Sequence, residues 1–432
     1  MTQLLEQLDK ICPTALTGKV VWTEGTTIGA AGFPAPVGAV VEIEPQGGVP
    51  IQGEVIGFRD SETLIYPLGD VSGVSRGSRV RIVKTYRSLR IGDQLLGRVV
   101  DAHGIPIDGA LPLALVDRTK LTRRPPSAID RPRTDTAIST GIRSIDAMLT
   151  CARGQRMGVF SGAGVGKSVL LGMMARFTNA DVNVIGLIGE RGREVNEFIQ
   201  RELGKDGLNR SVVVVSTSDE PALLRVQAAQ TATAIAEYFR DREKHVMLMM
   251  DSLSRFATAQ REVSLAAGEP PAGRGYPPSV FSALARLVER AGTSRDGSIT
   301  AFYSVLVEGD DLNEPVSDAV RGLLDGHVVL SRKLASSGHY PAVDVLESIS
   351  RLMTEIVSSQ HRAACQRLRE LLAVYRDNED LISIGAYCRG SNSRLDDAIE
   401  MQDKINQFLC QQVDQPFTLE SAREQLIRLV ST

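Results

Sequence analysis

Cysteines, aromatic residues and net charge are all scarce in this sequence. Its five cysteines lie far apart and form no CxxC pair, which argues against a zinc site or a disulfide framework and favours the reducing cytoplasm. Aromatic residues make up 5% of the chain and Trp22 is the single tryptophan, so a base-stacking surface for nucleic acid is not expected. The formal net charge is −3, and so no overall positive field attracts nucleic acid or anionic lipid.

Long hydrophobic runs are also missing. No apolar run reaches the ~18 residues that a membrane span needs, and the N-terminus lacks the basic region and long apolar core of a signal peptide. Within residues 1–17, leucine and isoleucine recur at helical spacing with acidic residues between them. This segment predicts a helix that docks on a protein partner rather than a lipid anchor, with peripheral membrane contact and a frayed terminus as the alternatives.

Changes in the pattern of hydrophobic, glycine and proline residues divide the rest of the chain into three segments. Residues 18–90 read as short β segments broken by glycine and proline, such as GKVVW and GEVIGFRD, and predict a small closed β-barrel. In residues 91–350, apolar strands alternate with longer helical patterns, and residues 351–432 read as helices. We therefore expect a barrel, an α/β domain and a C-terminal helical domain, in that order.

The α/β segment indicates a mostly parallel sheet with helices on both faces. Its strands, among them RMGVF, VNVIGLIG, SVVVVSTS and HVMLMMD, are almost continuously apolar, as is typical of strands buried on both sides. Between two of these strands, Asp219 and Pro221 predict the start of a long helix, with Asp219 as its N-cap.

The stretch SGAGVGKS at residues 161–168 carries the strongest chemical signal. It lies between a predicted strand and a predicted helix and fits the P-loop pattern, with Ser161 in place of the usual first glycine. Its glycines let backbone N–H groups turn toward phosphate oxygens, and the start of the helix adds a positive dipole end. The residues expected to cradle ATP are Gly162, Ala163, Gly164, Val165, Gly166, Lys167 and Ser168.

Charged and hydroxyl side chains complete the predicted chemistry. Lys167 is expected to reach the β- and γ-phosphates, and the Ser168 hydroxyl is expected to bind Mg²⁺. HVMLMMD ends in Asp251, which has the form of a Walker-B carboxylate on the magnesium side. GLIGERGREV places Glu190 at the carboxyl edge of the sheet as a candidate base for the attacking water, with a surface charge cluster that caps the next helix as the alternative. Arg191 is expected to pair with Glu190 or with a neighbouring subunit.

Several longer stretches resemble a known family. GHYPAVDVLESISRLM at residues 338–353 resembles the signature of the catalytic and regulatory subunits of rotary ATP synthases. GLIGERGREV, EPPAGRGYPPSVFSALARLVERAG and SITAFYSVLVEGDD narrow the resemblance to the type III export ATPases, which energise flagellar export and the related injectisomes. The resemblance covers nearly the whole chain beyond residue 90, and GAGVGKSVLLGMMARF favours the flagellar members.

This resemblance implies a RecA-like core that works as a homohexameric ring, with ATP at the subunit boundaries. It assigns Arg351 as the arginine finger offered to the neighbour's ATP, a role that suits a permanently charged, forked guanidinium. It also assigns Tyr340 to pack on adenine, with a buried core tyrosine as the alternative. The loop at residues 269–278 is implied to face a central stalk or pore.

The function implied by the resemblance is Mg²⁺-dependent ATP hydrolysis that drives chaperone release, unfolding and export of substrate proteins. The implied partners are further copies of the chain, a stator or negative-regulator protein, a coiled-coil central stalk, export gate proteins and chaperone–substrate complexes, with no nucleic acid. The implied location is the cytoplasm, at the cytoplasmic face of an inner-membrane export apparatus.

Three other functions compete with this one. A rotary ATP synthase subunit would need a partner subunit for activity, and GERGREV and the short C-terminal domain count against it. A hexameric RNA translocase of the termination-factor type also joins a barrel to a RecA-like core, but its barrel needs aromatic and basic residues that contact RNA. A nucleotide-binding scaffold needs neither a base nor a finger, so it leaves Glu190 and Arg351 unexplained.

Overall fold

The computed structural model describes residues 16–307, 309, 311 and 314–431. The docking helix predicted within residues 1–17 lies almost entirely in residues 1–15, outside the described residues, and the last residue of the predicted segment, Thr17, begins a strand. Within the described ranges, no helix combines the length and the apolar character needed to cross a membrane.

The first described segment forms a closed barrel of six strands, as predicted. The strands are β1 (Thr17–Glu24), β2 (Thr27–Ala31), β3 (Val40–Ile43), β4 (Ile51–Arg59), β5 (Glu62–Pro67) and β6 (Arg79–Lys84). They pair antiparallel around the barrel in the order β1-β2-β5-β4-β3-β6. Val20, Val41 and Ile65 are buried inside it, because alternate residues of a strand face the same side.

A sheet of nine strands, most of them parallel, forms the centre of the molecule, as predicted. The strands after the barrel are β7 (Ser88–Ile91), β8 (Val99–Val100), β9 (Asp117–Lys120), β10 (Ala137–Ile138), β11 (Cys151–Ala152), β12 (Arg156–Ser161), β13 (Val182–Glu190), β14 (Ser211–Thr217), β15 (His245–Asp251), β16 (Gly292–Thr293), β17 (Ser298–Leu306), β18 (Gly326–Leu330) and β19 (Val343–Ser350). The sheet order is β19-β18-β12-β17-β15-β13-β14-β8, with β16 beside β17, and β16 and β19 run antiparallel to their neighbours. β7 pairs with β9, and β10 with β11, in two small separate sheets.

Helices cover both faces of the central sheet. The helices are α1 (Arg143–Met148), α2 (Lys167–Phe177), α3 (Gly192–Glu197), α4 (Gly204–Asn209), α5 (Ala222–Arg240), α6 (Leu253–Ala266), α7 (Pro278–Val288), α8 (Pro315–Leu323), α9 (Arg332–Ser336), α10 (Met353–Ile356), α11 (Ser359–Asp377), α12 (Glu379–Ser383), α13 (Ser393–Leu409) and α14 (Leu419–Ser431). On β13, Val184 packs in the layer of α5 and α6, whereas its neighbour Ile185 packs in the layer of α1 and α2. Because successive side chains point to opposite faces, a sheet covered on both sides requires the continuous apolar strands seen in the sequence.

Two helix predictions need correction. Asp219 does not cap the long helix, because α5 begins at Ala222 and the residue before it, Pro221, is extended (ψ 143°), with no capping side chain. The Thr217 hydroxyl instead donates to Asp219 and lowers the pKa of that carboxyl, so the carboxylate serves the turn before the helix. The stretch EVNEFIQREL, which follows the strand VNVIGLIG, predicts a single helix from its sequence; it is not one α-helix, because a π-helical stretch, Phe198–Leu203, separates α3 from α4.

The chain ends in a helical segment, as predicted. Helices α11, α13 and α14 pack on one another and on α1 of the central domain. Leu368, Ile405 and Leu426 are fully buried in this layer. The C-terminal helices are therefore continuous with the hydrophobic layer on one face of the sheet.

Candidate active site

The phosphate cradle joins a central strand to a helix. β12 ends at Ser161, and α2 begins at Lys167 with Gly166 before it in the left-handed conformation (φ 88°). Val165 is buried and anchors the loop, whereas a side-chain carbon on Gly164 would meet no atom within 4 Å. The loop is therefore packed on one side and open on the other, where phosphate groups can reach its N–H groups and the N-terminus of α2.

Lys167 and Asp251 form the charged centre of the site. Lys167 Nζ lies 2.5 Å from Asp251 Oδ1, and the two side chains are only 13% and 6% exposed. The Ser304 hydroxyl donates to the same Oδ1 atom at 2.6 Å. The end of β15 thus presents a buried carboxylate, one oxygen of which is held by an ammonium group and a hydroxyl.

Ser304 is a site residue that the sequence reasoning missed. It lies on β17, where the preceding residue Tyr303 pairs with Met250 of the parallel strand β15. This register brings Ser304 to the same sheet edge as Asp251. The only sequence feature that could have identified Ser304 is its place near the end of the apolar stretch SITAFYSVLV. That stretch alone does not show which strand is its neighbour in the sheet.

Glu190 lies at the end of β13, next to β15, where Leu187 pairs with Asp251. The pairing of β13 with β14 shifts between Ile188 and Glu190, so a bulge re-aims the end of the strand. Gly189 forms the bulge at φ 69°, and a side-chain carbon there would lie 3.1 Å from Arg255. A glycine is therefore needed at the step that places Glu190 at the sheet edge.

The environment of Glu190 suits a proton acceptor. Burial and the negative charge of Asp251 raise the pKa of Glu190 to about 7, against the opposing effects of Lys167 and Arg255. Its Oε1 atom is buried and has no hydrogen-bond partner among the described residues. The reading of Glu190 as a surface charge that caps the next helix is therefore wrong, because α3 begins without a capping side chain.

Arg191 does not join this cluster. Its side chain is 78% exposed and its Nη1 atom lies 3.4 Å from a carboxylate oxygen of Glu194. The expected pair with Glu190 is absent from the described structure. Contact with a neighbouring subunit stays a prediction for this residue.

Tyr340 lies against the cradle. A side-chain carbon built on Gly166 would lie 3.4 Å from the Tyr340 ring, and the tyrosine is 45% exposed. The alternative of a buried core tyrosine is therefore wrong. The Tyr340 carbonyl accepts from the Gln411 N–H at 2.9 Å. This bond fixes the backbone of Tyr340 to the C-terminal helical segment.

Arg351 lies at the other end of the sheet from the cradle. Ser161 pairs with Leu330, and Leu330 pairs with Val343 at the start of β19. The Arg351 N–H donates to the Asp325 carbonyl, and the Asp325 N–H donates to the Arg156 carbonyl. β12 spans Arg156–Ser161 between that point and the cradle, so at about 3.3 Å per residue Arg351 lies roughly 16 Å along the sheet from the cradle of its own chain. Its side chain is exposed and forms no hydrogen bond or ion pair with any described residue. The structure thus brings together Lys167, Glu190 and Asp251, but not Arg351.

A cavity of about 580 Å³ adjoins the cradle. Ala163 of the cradle lines one side, and Arg274 and Tyr276 of the loop at residues 269–278 line another. Arg274 takes a left-handed backbone conformation (φ 51°) within this loop. The loop and the cradle therefore border one space, which Arg255 of α6 also lines.

Comparison with known families covers most of the chain. Residues 141–350 match the nucleotide-binding domain of the ATP synthase alpha/beta family, and residues 33–84 match its beta-barrel domain. Residues 357–428 match the T3SS EscN ATPase C-terminal domain. This last match is not to a rotary synthase C-terminal domain, and it agrees with the short C-terminal segment seen in the sequence.

Individual relatives are similar over nearly their whole length. The flagellum-specific ATP synthase of Bacillus subtilis (strain 168) is 50% identical over 94% of this chain and 93% of its own. The type 3 secretion system ATPase of Xanthomonas euvesicatoria is 48% identical over 98% of this chain and 96% of its own. The structure of the assembled ATPase EscN from the enteropathogenic E. coli (EPEC) type III secretion system matches with a TM-score of 0.91 at 44% identity, covering 96% of this chain and 100% of the solved EscN chain. EscN in complex with its central stalk EscO matches with a TM-score of 0.88 at the same coverage.

Proposed function

This chain belongs to the ATP synthase alpha/beta family, in the branch of the type III and flagellum-specific ATPases, and from that premise we propose that it works as a homohexameric ring that drives protein export. ATP hydrolysis in the ring would release chaperones and unfold and export substrate proteins. The flagellar apparatus is the favoured setting, on the resemblance of the cradle and its helix. A cytoplasmic ring at the inner-membrane face is the matching location.

The chemistry follows from the groups around the cradle. Loop N–H groups and Lys167 bind the β- and γ-phosphates, in place of the present contact of Lys167 with Asp251. Glu190 takes a proton from a water molecule, whose oxygen attacks the γ-phosphorus while the bond to the β–γ bridging oxygen breaks. With a pKa near neutral, Glu190 can accept that proton and pass it on within one cycle.

The residues present fit Mg²⁺. Ser168 supplies a hydroxyl oxygen and Asp251 a carboxylate oxygen, which are donors that Mg²⁺ prefers. No group of three or more His, Cys, Asp and Glu side chains surrounds a metal position within the described chain, so phosphate oxygens and water would complete its ligands. When bound, the ion neutralises the negative charge that develops on the phosphate.

The position of Arg351 is the observation that supports the proposal of a ring. An exposed guanidinium roughly 16 Å along the sheet from its own cradle, by the strand rise of about 3.3 Å, serves catalysis only if another subunit supplies the ATP. Such head-to-tail contacts between identical chains close into rings. Six subunits and ATP at each boundary are proposed from the family resemblance.

Partners of the ring are proposed on the same basis. The loop at residues 269–278 would contact a central stalk, in line with the relative EscN, which has been solved with its central stalk EscO. A stator or negative regulator, export gate proteins and chaperone–substrate complexes are further proposed partners. The division of the chain at residues 18–90, 91–350 and 351–432 stays a prediction.

Activity that depends on assembly is the test of this function. We expect ATPase activity per subunit to rise steeply with protein concentration, in step with the mass measured by light scattering, because each site is completed by a neighbour. Chelation of Mg²⁺ should abolish the activity at every concentration. Specific activity that stays flat while the protein remains monomeric would contradict the ring.

Tyr340 gives a separate prediction about nucleotide binding. Stacking of a base on an aromatic ring contributes about 1–3 kcal/mol, so Tyr340→Ala should raise the KM for ATP about 5- to 150-fold and change kcat little. Tyr340→Phe is the matched control and should keep KM within about twofold, because stacking needs the ring and not the hydroxyl. Steady-state kinetics of both variants decides the role, and an unchanged KM in the alanine variant would remove Tyr340 from the site.

A further inference from the structure

A buried amide fixes the turn that carries Arg351. Gln155 is fully buried, and its Nε2 atom donates to the Asp325 carbonyl at 3.1 Å and to Ser350 Oγ at 3.0 Å. Its Oε1 atom accepts from the Ala152 N–H at 2.8 Å. The same Asp325 carbonyl accepts from the Arg351 N–H at 3.0 Å. One side chain therefore ties the segment just before β18 and the end of β19 to the residues before β12.

An ion pair holds the neighbouring segment before β18 through the side chain of Asp325. Arg156 donates to this carboxylate from Nε at 3.0 Å and from Nη2 at 3.1 Å, and its backbone N–H adds a third bond at 3.0 Å. Its remaining Nη1 atom lies 2.5 Å from Glu289, just after α7. Bidentate pairs of this kind fix geometry as well as contribute energy. Asp325 is thus anchored at both its carboxylate and its carbonyl.

The anchored backbone contrasts with the free guanidinium of Arg351. The N–H of Arg351 is bound, while its exposed side chain makes no hydrogen bond within the described structure. A side chain that acts on a neighbour's substrate needs a fixed backbone position and a charged group that is not bound within its own chain. A misplacement of about 1 Å in such a group can cost 10²-fold in rate.

We propose that Gln155, Arg156 and Asp325 are positioning residues for Arg351. They lie at the sheet end away from the cradle of their own chain, and they act by setting where the guanidinium stands at the subunit boundary. The proposal rests on the proposed role of Arg351 in the ring, and it adds the buried residues that make that role possible.

Gln155→Leu is the first variant. Leucine keeps most of the volume and removes the bonds to Asp325 and Ser350. We expect kcat to fall about 10- to 100-fold, as a displaced reacting group predicts. The KM for ATP should stay within about twofold, because the nucleotide is bound by the cradle of another chain.

The same substitution in an Arg351→Ala background separates positioning from structural damage. If Gln155 acts through Arg351, Gln155→Leu should change kcat less than about twofold once the guanidinium is gone, because residues that act as a unit are not additive. An equal fold-loss in both backgrounds would overturn the positioning role and leave the ring intact. If Arg351→Ala itself keeps full activity, the proposed function fails first.

Asp325→Asn provides a second variant in case the buried leucine prevents folding. It keeps the carbonyl that binds Arg351 and removes the charge that binds Arg156, so we expect a smaller loss of kcat, about 3- to 30-fold, again absent in the Arg351→Ala background. The matched control is Asp108→Asn, because Arg98 donates to Asp108 in the same bidentate way, at 2.6 and 2.8 Å. The control should keep kcat within about twofold. A comparable loss in Asp108→Asn would overturn the proposal.

Discussion

Replacement of Arg351 by alanine is expected to lower kcat for ATP hydrolysis by about 10³- to 10⁵-fold. The permanently charged guanidinium is proposed to stabilise the charge that develops on the γ-phosphate of the neighbour's ATP, and alanine offers nothing in its place. ATP binding should survive, because Lys167 and the cradle lie at the opposite end of the sheet. Equilibrium binding of ATP and single-turnover hydrolysis measure the two effects separately.

A mixing experiment tests whether Arg351 acts across a subunit boundary. Arg351→Ala subunits keep an intact cradle, and Lys167→Ala subunits keep an intact finger, so either variant alone should be nearly inactive. Mixed rings contain boundaries at which a complete cradle faces a complete finger. Activity should therefore reappear on mixing, which a site contained within one chain does not allow.

The conservative variant supplies the control for Arg351. Lysine keeps a positive charge but lacks the planar fork that binds two phosphate oxygens, so Arg351→Lys should fall between the wild type and the alanine variant. Light scattering must show equal assembly for all three proteins. If mixing restores nothing while both variants assemble, the arginine does not serve a neighbour's site.

The candidate site residues at the carboxyl edge of the sheet could be predicted from the sequence because each belongs to a local sequence pattern. Asp251 and Glu190 each end an apolar strand, and in a parallel sheet such strand ends meet at one edge. The P-loop pattern fixed the start of α2 at Lys167 in the same way, through a strand, a glycine-rich turn and a helix. Local order along the chain was enough to bring these three groups together.

Other site residues depend on which strands are neighbours. Ser304 reaches Asp251 only because β17 lies beside β15, and Gln155 reaches Ser350 only because β19 folds back along β18. Strand order in a sheet of this kind is set by crossovers and packing, which hydrophobic periodicity does not encode. Sequence patterns therefore predicted the groups at the cradle but not those that hold them.

In the barrel, too, one element could not be predicted from local sequence. Strand β2 (Thr27–Ala31) has the sequence TIGAA, whose small residues give little alternation and low β propensity. It is a strand because it pairs with β1 and β5 and closes the barrel. Closure is a property of all six strands together, so the barrel was predictable while this strand was not.

Replacement of Glu190 by glutamine is expected to lower kcat by about 10²- to 10⁴-fold, the usual contribution of a general base. Glutamine keeps the shape of the side chain and its position after Gly189, but it cannot accept a proton from water. ATP binding should change little, because the change removes one negative charge and leaves the cradle intact. Rapid-quench hydrolysis and nucleotide binding, measured on the same preparation, separate chemistry from affinity.

The pH profile distinguishes a base from a charge that merely shapes the site. Burial and Asp251 raise the pKa of Glu190 to about 7, so the carboxyl is protonated and inactive below that pH and ionised above it. With Mg²⁺ in excess, kcat/KM of the wild type should rise with pH through about 7, and the residual activity of Glu190→Gln should lack this rising limb of the pH profile.

Glu194→Gln is the matched control, because the hydrogen bond between Glu194 and Glu190 raises the pKa of Glu190. An amide at this position can donate to the ionised Glu190 carboxylate and so favours the charged form, which should move the rise of kcat/KM to lower pH while kcat stays within a few-fold of the wild type. A limb that persists in Glu190→Gln would assign the titration to another group and remove Glu190 from the role of base.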